Sequence, residues 1–340
     1  MLTIVIITIA LALVFDVING FHDAANSIAT IVSTRVITPR FAVIWAAFFN
    51  FIAMFIFAPK VANTIAKIVI IDTSDPAYLY IILSGLLGAI IWDLITWWYG
   101  LPTSSSHALI GGLMGAGLAY KGMGTIRWEK IIQTATFIPL APVIGLVVAL
   151  VLMIAVYWIF RKWAPRRVDG LFRKGQLVSA ALYSIGHGGN DAQKTMGVIV
   201  ALLMAAGLLS TDTQLSLSHS NTLWIIISCH LAMAIGTGMG GWRIVKTMGM
   251  KLTKLKPVNG FCAETAGAIT IFLATRMGIP ISTTHTIAGS IVGVGMTRNF
   301  AGIKWIIAYR IVVAWILTIP ASAAISAICL LIFRWLNTSF

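Results

Sequence analysis

Two short polar texts interrupt an otherwise apolar chain, and each centres on a carboxylate. Residues 20–30 read GFHDAANSIAT and residues 186–197 read GHGGNDAQKTMG. Asp23 and Asp191 lie in the middle of these texts, within long apolar runs. An ionised carboxylate at mid-membrane depth costs about 2.5–3.5 kcal/mol on the lenient scales, so it must be paired, protonated or bound to a cation. Asp16, Asp93 and Glu264 also fall in apolar stretches, so five of the ten acidic residues do. Aligning Asp23 with Asp191 sets His22 against Asn190 and Asn26 against Lys194. His22 and His187 lie beside these carboxylates, and histidine titrates near neutral pH.

A second pair of texts supplies the complementary chemistry. Residues 100–117 read GLPTSSSHALIGGLMGAG and residues 278–295 read GIPISTTHTIAGSIVGVG, with seven of 18 positions identical. In each, a proline precedes a run of hydroxyls, and an apolar glycine-rich segment follows. Proline in the first turn and Ser or Thr at the cap are helix-start signals. A helix beginning there at membrane depth turns backbone N–H groups and hydroxyls toward an anion without any formal positive charge. Two copies from opposite halves could surround one tetrahedral oxyanion with short neutral donors. The competing reading is that these hydroxyls satisfy one another where helices pack. His107 and His285 follow the hydroxyl runs and read as structural donors. No histidine spacing resembles a metal site, and whether a metal binds is left open. No nucleotide-binding loop is present either.

The elements that must position these residues are membrane helices. The chain has 340 residues, 59% hydrophobic, with 10% charged and a mean hydropathy of +0.94. A soluble domain carries about 25% charged residues, so a soluble enzyme or a nucleic-acid-binding protein is excluded. Ten apolar stretches lead to an expectation of an all-α polytopic membrane protein with 10–12 helical elements. The first and sixth, 2–33 and 176–209, contain the carboxylate texts and are expected to be broken or re-entrant there. The net charge of +14 concentrates in two stretches, Arg161 to Lys174 and Arg243 to Lys256, with eleven of the 24 basic residues. Such clusters mark cytoplasmic loops, and anionic membrane lipid favours them.

The repeats divide the chain into a first transmembrane repeat at 1–160, a basic linker at 161–175 and a second repeat at 176–340. Five crossings in each give the halves opposite orientations, an inverted repeat with its site at the repeat interface. This count places the 161–175 and 243–256 loops inside, the linker around Asp212 outside, and both termini outside. Lys121, Arg127 and Lys130 then also lie outside, against the charge rule; reading residues 101–120 as a re-entrant hairpin is the alternative, which removes that violation but alters the parity. The three cysteines, Cys229, Cys262 and Cys329, follow no ligand spacing and read as core.

At these motifs the sequence resembles the inorganic phosphate transporter family, the low-affinity permeases related to sodium–phosphate cotransporters and some bacterial sulfate permeases. The similarity rests on residues 20–40, 92–112, 186–197 and 278–290. It implies cation-coupled phosphate symport by alternating access across the cytoplasmic (inner) membrane, in a protein that is often a homodimer, with no cofactor and no enzymatic activity. By the same resemblance, phosphate falls to Asp23, Asn26, Ser104, Ser105, Asn190, Asp191, Thr283 and Thr284. The coupling ion falls to His22, Asp23, Asp191, Lys194 and Glu264. The family signature, Gly-Ala-Asn-Asp-Val-Ala-Asn, is altered here. Phe21 and His22 stand for Ala-Asn in the first copy, and the second ends in Gln193 and Lys194. Lys194 as a tethered cation in place of sodium, with His22 as a titrating group, favours protons as the coupling ion. The cargo is then phosphate or a neutral metal–phosphate complex. Sodium coupling, sulfate transport and a passive anion channel are the alternatives.

Overall fold

The computed structural model describes residues 2–70, 75–210, 213, 215–297 and 300–336, and the expectation for Asp212 lies outside them. It is all-helical among those residues apart from one isolated bridge between Val69 and Ile126. The first half contains α1 (Leu2–Ser33), α2 (Pro39–Ile52), α3 (Lys60–Ala66), α4 (Ala77–Tyr99), α5 (Ser105–Lys121) and α6 (Trp128–Phe160). The second contains α7 (Pro165–Ala205), α8 (Ser220–Met239), the short α9 (Trp242–Val245), α10 (Pro257–Arg276), α11 (Thr283–Met296) and α12 (Trp305–Leu336). The stretch read as a linker at 161–175 is largely the start of α7. Among the described residues six helices are long and apolar enough to cross a membrane, or seven if α2 and α3, bent by 85° at the break between them, form one broken span.

The carboxylate texts do not break their helices. α1 runs unbroken for 32 residues and α7 for 41, which corrects the expectation for the first and sixth stretches. Their glycines serve close approach instead. A Cβ on Gly20 would lie 3.0 Å from the Cα of Gly236, and one on Gly188 would lie 2.6 Å from the Cα of Asn50. Small residues of this kind let membrane helices pack backbone to backbone, seating α8 against α1 and α2 against α7.

The interruptions fall at the hydroxyl texts. α4 ends at Gly100 with φ 66°, and α10 is followed by Gly278 with φ 72°. That left-handed conformation is strained for any residue but glycine. Pro102 and Pro280 follow, and then Ser104 and Ser282 cap the next helices, accepting from the His107 and His285 amides at 3.3 and 3.1 Å. α5 and α11 are short, at 17 and 14 residues. Their first turns meet: the His107 and His285 rings lie 4.8 Å apart, edge to face.

The two halves of the chain interlock. α5 packs on α4 of its own half and on α12 of the other, while α11 packs on α10 and on α6. Glycine again allows the crossing. A Cβ on Gly111 would sit 2.9 Å from the Cα of Ile319 in α12, and one on Gly289 would sit 2.7 Å from the Cα of Pro142 in α6.

Long-range contacts fix which ends lie together. Arg173, early in α7, donates to the Arg35 carbonyl just beyond α1 at 3.0 Å, so α1 and α7 run antiparallel. Arg161, Arg166 and Lys256 line one cavity, which brings both basic stretches to the same end of the molecule. The Lys304 amide bonds the Leu252 carbonyl at 3.0 Å, so α12 also starts there. The first residue of α1 and the last of α12 are therefore at the opposite end. Lys121 lies at that far end as well, 2.7 Å from Asp75. Burial alone would raise the Asp75 carboxyl, but hydrogen bonds from Lys121 and Tyr120 hold it below its ordinary range.

Candidate functional site

The structure gathers most of the singled-out residues where α1 and α7 cross the first turns of α5 and α11. Asp23 bonds His22 Nδ1 at 2.8 Å. It accepts from Ser105 Oγ at 2.9 Å and from Thr284 Oγ1 at 3.3 Å. Asp191 accepts from Thr283 Oγ1 at 3.1 Å and from the Lys194 ammonium, and lies 3.3 Å from His187 Nε2. Lys194, buried among spanning helices, also donates to Ser106 Oγ and to the Ile281 carbonyl. Asn26 donates to Thr283 and Thr284 at 3.2 and 2.9 Å.

These contacts follow the repeat. Ser105 and Thr283 are equivalent positions, and each donates to the carboxylate of its own half. Ser106 and Thr284 are likewise equivalent, and each is reached from the other half, by Lys194 and Asn26 respectively. The halves diverge chemically at one point only in this set, where an amide in the first becomes an ammonium in the second.

Three singled-out residues stand apart from this cluster. The Ser104 hydroxyl caps α5. Asn190 turns to Thr275 and the Ile279 carbonyl, at 2.9 and 3.3 Å. Glu264 forms its own buried network, accepting from Thr30 at 2.5 Å, Ser179 at 2.5 Å and Gln176 at 2.9 Å. Thr30 lies seven residues beyond Asp23, about 10 Å along α1 at the helical rise.

Sequence reasoning left Ser106 and Asn19 out of the site, although Asn19 accepts from Ser105 at 2.5 Å. It also missed Thr96 and Thr103 beside His22 Nε2, at 3.1 and 3.4 Å. A signal was present. Asn19, Asp23, Asn26 and Thr30 recur every three or four residues on α1, with Thr34 just beyond its end, as do Gln176, Ser179, Tyr183, His187, Asp191 and Lys194 on α7. Each is a polar stripe at helical period, and the stripes face one another through the Ser27–His187, Thr30–Glu264–Ser179 and Thr34–Gln176 contacts.

The arrangement can hold an oxyanion and a cation together. Hydroxyls of Ser105, Ser106, Thr283 and Thr284 and the Asn26 amide offer neutral donors. Ligand atoms of Asp23, His187 and Asp191 all lie within 4.8 Å of one another, a spacing that fits a cation. Leaving the histidines aside, the formal charges are two carboxylates against one ammonium. A surplus of carboxylate favours an anion that arrives with protons or a cation.

A helical bundle with an occluded, charged centre and short helices starting at that centre defines a polytopic membrane transporter. Residues 19–326 match the Phosphate transporter family, and the chain belongs to it. It is 54% identical to a probable low-affinity inorganic phosphate transporter of Rhizobium meliloti, over 94% of each chain. A protein of the same description from Bacillus subtilis is 43% identical, over 98% of this chain and 97% of its own. The solved structure of "The sodium-dependent phosphate transporter" superposes with a TM-score of 0.89 at 25% identity, covering 98% of this chain and all of that one.

Proposed function

We propose that the chain carries inorganic phosphate across the cytoplasmic membrane by alternating access, with the Asp23–Asp191 cluster as the substrate site and protons as the coupling ion. The observation that carries this reading is Lys194. Its ammonium occupies the Asp191 carboxylate, Ser106 and the Ile281 carbonyl together, a set of oxygens that would otherwise suit a small monovalent cation. With that position filled by the chain itself, the remaining charge balance falls to protons. Phosphate can bring them, since it is a hydrogen-bond donor near neutral pH and can give a proton to Asp23. Sulfate cannot, and a carboxylate would repel it. His22, bonded to Asp23 and bridged to Thr96, is the second group able to take up a proton.

The antiparallel course of α1 and α7 and the paired contacts of α5 and α11 support reading 1–160 and 176–340 as inverted repeats. On that reading the basic end faces the cytoplasm, and both termini face the other side. Rocking of one half against the other would expose the centre alternately. The carboxylates, with their hydroxyl donors, would pass from bonding each other's donors to bonding the anion. Glu264, bonded to residues of both α1 and α7, is read as a load on their relative movement rather than as a substrate ligand.

Sodium coupling is the second reading. The Asp23, His187 and Asp191 trio supports it, because it offers a cation a place that Lys194 does not fill. The same trio could hold the metal of a metal–phosphate complex. Phosphate uptake by purified protein in liposomes, with proton and sodium gradients imposed separately, decides among these. Uptake that rises with an inward proton gradient and survives replacement of sodium by choline is the expected result. Strict sodium dependence without a proton response would transfer the coupling to sodium and leave phosphate transport intact.

A further inference from the structure

A cavity of about 640 Å³ lies at the basic end, between the last turns of α6 and the first turns of α7 and α10. Its cations are Arg161, Arg166 and Lys256, drawn from both basic stretches. The rest of its lining is largely apolar and aromatic, with Val156, Tyr157 and Phe160 at the end of α6 and Trp163 beyond it. Asp169 also lines it, but that carboxylate is engaged by Arg173 at 3.0 Å, so the cavity keeps a surplus of positive charge. α7 opens on the same space, and Ala164 before it offers no capping oxygen, which adds the partial positive charge of a helix start.

We infer that this cavity is a binding site for one anionic phospholipid. The three cations take the headgroup phosphate, and the aromatic wall takes the glycerol and the upper acyl chains. The choice of lipid rests on where the wall leads. Tyr157 and Trp163 in the wall are themselves 45% and 51% exposed, and Ile154, one turn before Tyr157, and Val151 continue an exposed apolar strip into the span. A ligand seated on the cations is thus continuous with the hydrocarbon-facing surface. Tryptophan at this level is where interfacial aromatic residues collect. A soluble polyanion would satisfy the arginines and leave the aromatic wall wet. The neighbouring basic cavity, with Lys251, Lys254 and Lys304, lacks such a wall and serves as an internal control.

The site joins α6 of the first half to α7 and α10 of the second, so an occupant bridges the two halves. It is tested with delipidated full-length protein in neutral detergent, using native mass spectrometry to count retained lipid. Wild type retains dioleoylphosphatidylglycerol over dioleoylphosphatidylcholine by about tenfold, the scale expected of a few basic groups near an anionic headgroup. The Arg161→Gln/Arg166→Gln/Lys256→Gln protein loses that preference, whereas Lys251→Gln/Lys254→Gln/Lys304→Gln, with the same loss of charge, keeps it. Trp163→Ala, which leaves every cation in place, also weakens retention. If the triple substitution prevents folding, as judged by size-exclusion profile and helical content, Arg166→Gln alone is used, and a partial loss is expected. An equal loss in both triple variants, or none in either, overturns the proposal. So does displacement of the lipid by tripolyphosphate at equal concentration, which would assign the cavity to a soluble polyanion.

Discussion

Replacing Lys194 by asparagine gives the second half the same amide that Asn26 supplies in the first, and its outcome can be worked from the contacts. The ammonium holds three acceptors: Asp191, Ser106 and the Ile281 carbonyl. Removing one partner of a buried pair and leaving the other charged costs about 3–5 kcal/mol. Thr283 and His187 remain beside Asp191 and reduce that cost without cancelling it. The thermal midpoint of Lys194→Asn protein in choline chloride should therefore fall. If the vacated oxygens accept sodium, the loss is partly recovered, by about 2.7 kcal/mol at a sodium concentration 100-fold above its dissociation constant. Liposome uptake should in parallel lose its response to a proton gradient and gain one to sodium. An Asp191→Asn/Lys194→Met protein, with neither charge, should be more stable than Lys194→Asn in choline and transport nothing. A Lys194→Asn protein with wild-type midpoint, wild-type uptake and an unchanged proton response would refute the assignment of Lys194 as the resident cation.

Four further outcomes follow from the same geometry. Asp23→Asn keeps the side-chain shape but removes the charge and one of the two carboxylate oxygens that serve His22, Ser105 and Thr284; folded, inserted protein with phosphate uptake largely abolished is expected, and wild-type uptake would remove Asp23 from the mechanism. Ser105→Ala and Thr284→Ala each delete one neutral donor, so KM should rise before kcat falls, within the range of about 1.5–3 kcal/mol for a bond to a charged group. Gly188→Ala drives a Cβ into the Asn50 backbone and should destabilise the protein by about 1–3 kcal/mol, read as a lower thermal midpoint. At the far end, the folded-state carboxyl of Asp75 lies below its ordinary value, so its pairing stabilises at neutral pH and that contribution fades as pH falls through the folded value. The midpoint difference between wild type and Asp75→Asn should accordingly shrink on acidification, and a difference independent of pH would exclude the ion pair as its source.

The parts of this fold that could be read from the sequence are those with a local physical signature. The caps at Ser104 and Ser282 and the glycines that precede them follow from Gly-x-Pro and hydroxyl chemistry within a few residues. The pairing of Asp23 with Asp191 was visible through the repeat. The continuity of α1 and α7 was not, because a glycine can end a helix or admit a neighbour, and only the position of Gly236 or Asn50 decides between these. The same limit hid the separation of Glu264 from the cluster. A buried carboxylate announces that it needs donors, but Thr30, Gln176 and Ser179 are distant in sequence and become its donors only when α10 packs against α1 and α7. The polar stripes on those two helices were legible and would have supplied Asn19.

The crossed packing of the short helices bears on how the chain is made. α5 is complete at Lys121, but α12, on which its glycine face rests, begins only at Trp305. At about 5–20 residues per second, the 183 residues between them take about 10–40 s to synthesise. During that interval a segment opening on three consecutive serines must wait in or beside the bilayer, with Gly111 and Gly115 facing no partner. α11 has no such delay, since α6 is already in place when it emerges. The nascent first half is thus the vulnerable species in biogenesis, dependent on the insertion machinery for shelter until the last helix arrives. Truncation anywhere before α12 should leave a product that is cleared by membrane quality control.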